Sequence, residues 1–171
     1  MRQGRRWASG QLCRRRRVLI HKGMDKVRQG LYDEAIEIYD RVLSMNPENT
    51  HAWNNRGVAL FNADRFEESL ECYDRSIEID PENLDALRNR GFVLRSMSRM
   101  EEALEAYERV MGAGGDENDL ESMATVLVGM GMLAEALDCL NQAMSINPTE
   151  RIEKEIVAIM FTIEQREQER R

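Results

Sequence analysis

Apolar residues return at helical spacing along most of the chain, in blocks that resemble one another. Phe66, Ser69, Leu70, Tyr73 and Ile77 run at i, i+3, i+4, i+7 and i+11, one face of an amphipathic helix. The block before it does the same around Trp53, Gly57, Leu60 and Phe61. Gly23, Gly57 and Gly91 fall 34 residues apart, and apolar columns keep step with them. These columns read Ile36, Leu70, Leu104, Leu137, then Tyr39, Tyr73, Tyr107, Leu140, then Leu43, Ile77, Met111, Met144. A fixed period of this size marks a stacked array, in which each unit buries its apolar face only against its neighbours. Each block predicts a pair of antiparallel helices. The units fall at 16–49, 50–83, 84–116 and 117–150, the third one residue short, with a leader over 1–15 and a terminal helix over 151–171.

The polar columns fit the same frame. Gly23, Gly57, Gly91 and Ala124 are expected to face Ala35, Ser69, Ala103 and Ala136, small against small, so that paired backbones approach closely. Pro47, Pro81 and Pro148 punctuate the unit ends, and Gly112 to Gly115 replaces a proline at the third junction with a softer joint. Glu37, Glu71 and Glu105 stand four residues before Arg41, Arg75 and Arg109, the orientation that favours ion pairs on a solvated face. Glu34, Glu68, Glu102 and Glu135 open the second helices, where a carboxylate suits the positive end of the helix dipole.

Trp53, Gly57, Ser69, Tyr73 and Pro81 carry a resemblance to the tetratricopeptide repeat (TPR) family, covering residues 16–150. Ser69 stands for the usual alanine and Tyr73 for the usual phenylalanine, while Arg56 and Leu60 depart from the usual leucine and tyrosine. The resemblance implies an all-α fold, a right-handed α-solenoid of four helix-turn-helix repeats closed by a C-terminal capping helix. In that helix Ile152, Ile156, Ile159, Met160 and Ile163 form one covering stripe. A helix that joins another subunit, giving a homo-oligomer, is the alternative.

What the family implies for function is a concave groove that binds a peptide or helix of another protein. By register the groove takes His51, Asn54, Asn55, Val58, Phe61 and Asn62 from the second unit, and Arg88, Asn89, Phe92 and Arg95 from the third. Arg17, Ile20, His21, Met24, Val27 and Arg28 precede them, with Asp85 and Ser96 completing the third set. Asn118, Glu121, Ser122, Thr125, Val128 and Gly129 follow. Asn55 and Asn89 share a column, which suggests a ladder of amides for a ligand's main chain, beside a pocket of Phe61 and Phe92. Arrays that clamp the acidic tails of heat-shock chaperones use two lysines, an arginine and two asparagines. Here those places hold Ile20, Met24, Asn55, Asp85 and Asn89, so no chaperone-tail clamp is expected.

Charge sharpens the choice of partner. Residues 1–23 carry eight Arg or Lys and no acid, a leader of +8 beside a body of −15. The groove, by contrast, balances Arg28, Arg88 and Arg95 against Asp85 and Glu121, a sign opposite to its surroundings that favours acidic segments. Arg5, Arg6, Trp7 and the run Arg14 to Arg17 read as a disordered leader, through which the rival function would act. That rival is a self-assembling scaffold, or one associated with nucleic acid or an anionic surface.

Three cysteines without secretory features point to a reducing, cytoplasmic setting, with Cys13 exposed and Cys72 and Cys139 too far apart to pair. No apolar run is long enough to span a membrane. His21 and His51 lack the neighbours a zinc site needs, and no serine or cysteine sits in a nucleophile motif. A non-enzymatic adaptor without cofactor or metal is therefore the expectation.

Overall fold

The structure is a computed structural model that describes the backbone of residues 2–169 and the side chains of 14–169. Nine helices occupy the described residues: α1 (Arg2–Arg28), α2 (Tyr32–Met45), α3 (Thr50–Asn62), α4 (Phe66–Ile79), α5 (Leu84–Ser96), α6 (Met100–Gly112), α7 (Glu117–Met130), α8 (Leu133–Ile146) and α9 (Glu150–Glu169). They divide into two compact units, Met1–Asn89 and Arg90–Arg171.

In the first unit Ala35, Ile36, Tyr39, Ala59, Leu60 and Cys72 form one buried cluster, flanked by Val27 and Trp53. Val42, Leu43 and Ala52 form a second, against which Leu19 and Ile20 of α1 pack. The second unit has a longer core, from Leu120, Ala124 and Leu127 of α7 through Leu133, Ala136, Cys139, Leu140 and Ala143 of α8 to Ile152 and Ile159 of α9. Leu104, Met111 and Met144 pack against its edge.

Helix pairing depends on a contact that small-against-small reasoning did not foresee. The glycine column is covered by the tyrosine column, 16 residues further on. A methyl placed at Gly57 would lie 2.6 Å from Cε1 and 2.8 Å from Cζ of Tyr73, and one at Gly23 would lie 2.6 Å from Cε1 and Cζ of Tyr39. At Gly91 the same methyl would meet Tyr107 at 3.0 Å. Each ring thus lies flat on helix backbone where a side chain would otherwise stand. In the fourth repeat the column reads Ala124 and Leu140, both in the core: a smaller partner admits one carbon more. Burial also pushes the phenol of Tyr39 up to about 12 and raises those of Tyr73 and Tyr107.

Between the two helices of every repeat one residue turns left-handed. It is Gly30 (φ 76°), Asp64 (57°), Ser98 (60°) and Gly131 (78°). The next backbone N–H then reaches back five residues to close the helix, as in Arg65 N to Leu60 O and Arg99 N to Leu94 O, both 2.9 Å. Helix starts are fixed as regularly. The side chains of Asn49 and Asn83 accept from Ala52 N (3.0 Å) and Ala86 N (3.1 Å), and Asp116 with Asp119 makes a capping box at α7.

Several expectations change. Residues 2–15, read as a disordered leader, open helix α1 (Arg2–Arg28), which is rich in arginine, a good helix former, and tolerates Gly4, Gly10 and Gly23. Cys13 and the leader side chains before it lie outside the described side chains. Arg75 pairs with Glu78, three residues on, rather than marking the four-residue pair with Glu71. Glu68 and Glu102 do more than complement a dipole: Arg65 and Arg99 each donate two hydrogen bonds to them at 2.6–2.7 Å, which lowers both carboxyl pKa values. The second-helix core is not free of polar groups either. Ser69 and Ser76 are fully buried, and the Ser69 hydroxyl donates to Gly57 O at 2.8 Å. Gly115 occupies a crowded place, where a methyl would meet Met111 Sδ at 2.9 Å.

The ring-on-glycine contact makes a graded prediction. Gly57→Ala should lower stability by about 1–3 kcal/mol through overpacking, despite the better helix propensity of alanine. Adding Tyr73→Leu, the combination found at Ala124 and Leu140, should recover part of that loss. Urea unfolding of the four members of this cycle measures the coupling. Strictly additive effects would refute the contact as the cause.

Candidate peptide-binding groove

In the first unit α1 and α3 run side by side, and the α2–α3 turn closes one end of the space between them. Arg16, Arg17, Ile20 and Met24 line it from α1, Asn46 and Asn49 from the turn, and His51 and Asn55 from α3. The volume is about 500 Å³. Ile20 is half-buried because it also packs on the core cluster of Val42, Leu43 and Ala52, which holds this wall in place. Asn49 is fixed by its cap hydrogen bond, and Trp53 anchors the turn by donating from Nε1 to Pro47 O at 2.7 Å.

The lining has a consistent chemistry. Two guanidinium groups stand over an apolar strip of Ile20 and Met24, with three amides and an imidazole around it and no acidic side chain. Amides donate and accept, so they can pair with a main chain in either direction. Guanidinium groups recognise carboxylates in a planar, two-pronged geometry. The arrangement suits a non-covalent ligand with acidic and apolar features.

Of the residues assigned to the groove from sequence, Arg17, Ile20, Met24, His51 and Asn55 line this space directly. Asn89 Nδ2 donates to Asn54 Oδ1 at 2.9 Å, which engages one donor of the Asn89 amide within the protein. Val58 is half-buried, and its carbonyl accepts from Asn62 Nδ2 at 2.7 Å, so Asn62 folds back onto its own helix. Phe61 stacks at a tilt on Phe66 with ring centroids 5.5 Å apart, which directs it into its own repeat. Arg88 is half-buried. Phe92 is 42% exposed in the second unit, with the Arg95 guanidinium 5.3 Å above its ring.

Arg16, Asn46 and Asn49 were missed. Arg16 was set aside with the leader, and the two asparagines lie in a turn that helical registers do not cover. Pro47 and the unit-end pattern could have drawn attention to that turn.

The second unit has a smaller polar cavity of about 240 Å³, lined by Arg95, Asn118, Glu121, Ser122, Thr125, Arg151 and Glu155. Glu121 lines this cavity with Arg95, Asn118, Ser122 and Thr125, all assigned to the groove from sequence, and keeps only 7% of its surface exposed. Arg151 of α9 lies against its Oε2 as an ion pair, in a geometry that supplies no hydrogen bond to that oxygen. Burial raises the Glu121 pKa above the usual carboxylate range, opposed by Arg151 and reinforced by Glu155 and Glu117. The groove charge drawn from sequence therefore does not include a free carboxylate at this position.

These helix pairs, stacked by buried columns at a 34-residue period, define the all-α repeat-solenoid class. The tetratricopeptide repeat family matches residues 21–83, and a second description of the same family matches 72–105. The chain is a tetratricopeptide repeat protein. No curated protein matches the sequence. Among solved structures, Pseudomonas aeruginosa pilF is similar at a TM-score of 0.78 and 19% identity, over 90% of this chain and 71% of that one. MamA from Desulfovibrio magneticus RS-1, residues 41 to the end, is similar at 0.77 and 15%, over 90% and 88%. YrrB, a TPR protein with an unusual peptide-binding site, is similar at 0.71 and 19%, over 87% and 78%. At these identities the likeness concerns the fold.

Glu121 gives a pH prediction. A carboxyl whose folded pKa is raised favours the fold while protonated, and that contribution is lost as pH rises from its unfolded value through its folded one. Glu121→Gln should therefore raise the thermal midpoint at pH 7, with the difference from wild type shrinking at pH 4. Circular dichroism melts at both pH values check this. A lower midpoint for the variant at pH 7 would mean that the Arg151 pair outweighs burial.

Proposed function

We propose that this protein is a non-enzymatic adaptor whose α1–α3 groove holds an extended, acidic segment of a partner protein. The observation that carries the reading is the lining itself: Arg16 and Arg17 beside three asparagines and a histidine, over Ile20 and Met24, with no acid. A groove of this sign on a body of net negative charge attracts acidic segments and stands out from the acidic surface around it. An apolar side chain of the ligand would seat on Ile20 and Met24, while Asn55, His51 and Asn49 pair with its main chain. Arg88 and Asn89 extend the same reading within the first unit.

The membership in a family of protein-binding repeats supports this function, and so does the peptide-binding site for which YrrB is described. Among the described residues no helix is long and apolar enough to cross a membrane. Cys72 and Cys139 are buried free thiols, in keeping with a reducing cytoplasmic setting. Nucleic acid is the weaker candidate partner. Consecutive residues point about 100° apart around a helix, so Arg14 to Arg17 spread around α1 instead of forming one phosphate-facing stripe.

Isothermal titration with acidic peptides carrying one apolar residue tests the reading. Arg16→Glu with Arg17→Glu should weaken binding at least about tenfold and flatten its salt dependence. Asn55→Ala should cost roughly 2- to 10-fold, the worth of one hydrogen bond. Asn89→Ala should cost less, since one of its donors is already engaged by Asn54. Binding unchanged by the double charge reversal would remove the α1–α3 groove as the site.

A further inference from the structure

The closing helix α9 was expected to cover the fourth repeat with a single apolar stripe, and it does so with Ile152 and Ile159 buried and Ile156 and Ile163 packed beside them. Met160 does not belong to that stripe. It stands 50% exposed on the opposite side, together with Val157 at 60% and Phe161 at 61%. These three fall at i, i+3 and i+4, so α9 carries a second apolar face. Large apolar side chains grouped this way on a soluble surface mark an interaction site more often than chance exposure does.

Flanking charges decide what fits there. The outer face continues through Lys154, with Glu150 and Glu153 beside it, towards the helix start and through Glu164 towards its end. Lys154 pairs only with exposed Glu150 on its own helix, at 2.7 Å, and remains 74% exposed. We propose that the outer face of α9 pairs with the same face of a second copy, the two helices running antiparallel. Centred on residue 159, this pairing sets Val157 against Phe161 of the second copy and Lys154 against its Glu164. Two-fold symmetry makes each of those contacts twice. Parallel pairing would instead set Lys154 against Lys154 and Glu164 against Glu164, so like charges exclude it. The self-complementary order, cation before the apolar centre and carboxylate after it, selects a second copy over an unrelated partner.

Three large apolar residues per copy make a small interface, so the dimer should dissociate in the range of about 10–100 µM. Sedimentation equilibrium of the full chain across that range should show the mass rising from 19.8 kDa towards twice that value. Phe161→Glu should weaken dimerisation by more than about tenfold. Lys154→Glu alone should weaken it about fivefold, and Lys154→Glu with Glu164→Lys should restore it. The charge variants leave the apolar face and the core untouched, so they decide the matter even if Phe161→Glu perturbs folding. A monomer at every concentration would leave this face to another protein and overturn the proposal. So would a dimer indifferent to Phe161→Glu, or a double charge exchange that fails to restore what the single one removes.

Discussion

The pairing of helices in the first three repeats depends on an aromatic ring lying on bare backbone. Tyr39, Tyr73 and Tyr107 are buried over Gly23, Gly57 and Gly91, with too little room at Gly57 for even a methyl group. A glycine within a helix costs about 0.5–1 kcal/mol relative to alanine. The burial of a whole tyrosine ring, with the dispersion contacts that fill the space, exceeds that cost. The contact also fixes register. A helix slid by one residue would bring a side chain under the ring, so each pair has one allowed setting.

That setting determines which side chains are left for function. With the glycine side of α1 and α3 turned towards the tyrosines, Ile20, Met24, His51 and Asn55 are carried to the groove. Polar groups that enter the core are compensated locally: Ser69 donates to the carbonyl of Gly57, and Arg56 spans from Asp40 (2.8 Å) to the sulfur of Cys72 (3.0 Å). Glu121 is the exception, a buried carboxylate held by charge without a matching hydrogen bond. The second unit therefore contains the less settled chemistry, and α9 contributes to it on both faces.

Much of this was legible in the residues. The 34-residue period, the amphipathic second helices and the apolar columns follow from spacing alone, because burial against a neighbour requires them at those intervals. What periodicity could not supply was which column touches which. It paired Gly57 with Ser69, whose hydroxyl does meet the Gly57 carbonyl, but it did not foresee the Tyr73 ring that fills the space over Gly57. Nor could it foresee that Asn89 donates to Asn54. It also took Met160 for part of the inner stripe, since a residue adjacent to Ile159 is only a third of a turn away and the pattern cannot say which side wins. Asn46 and Asn49 escaped because the groove was assigned by helical register, which stops short of the turn, although Asn49 recurs as Asn83 at the same period.

The central claim is that the register set by the glycine–tyrosine contacts turns the α1–α3 face into the recognition surface. The most direct test is amide chemical-shift mapping of the isotope-labelled chain titrated with an acidic peptide bearing one apolar residue. The account predicts shifts concentrated at Ile20, Met24, Asn49, His51 and Asn55, with α2 and α4 silent on their outer faces. Shifts centred on those outer faces, or none along α1 and α3, would contradict it.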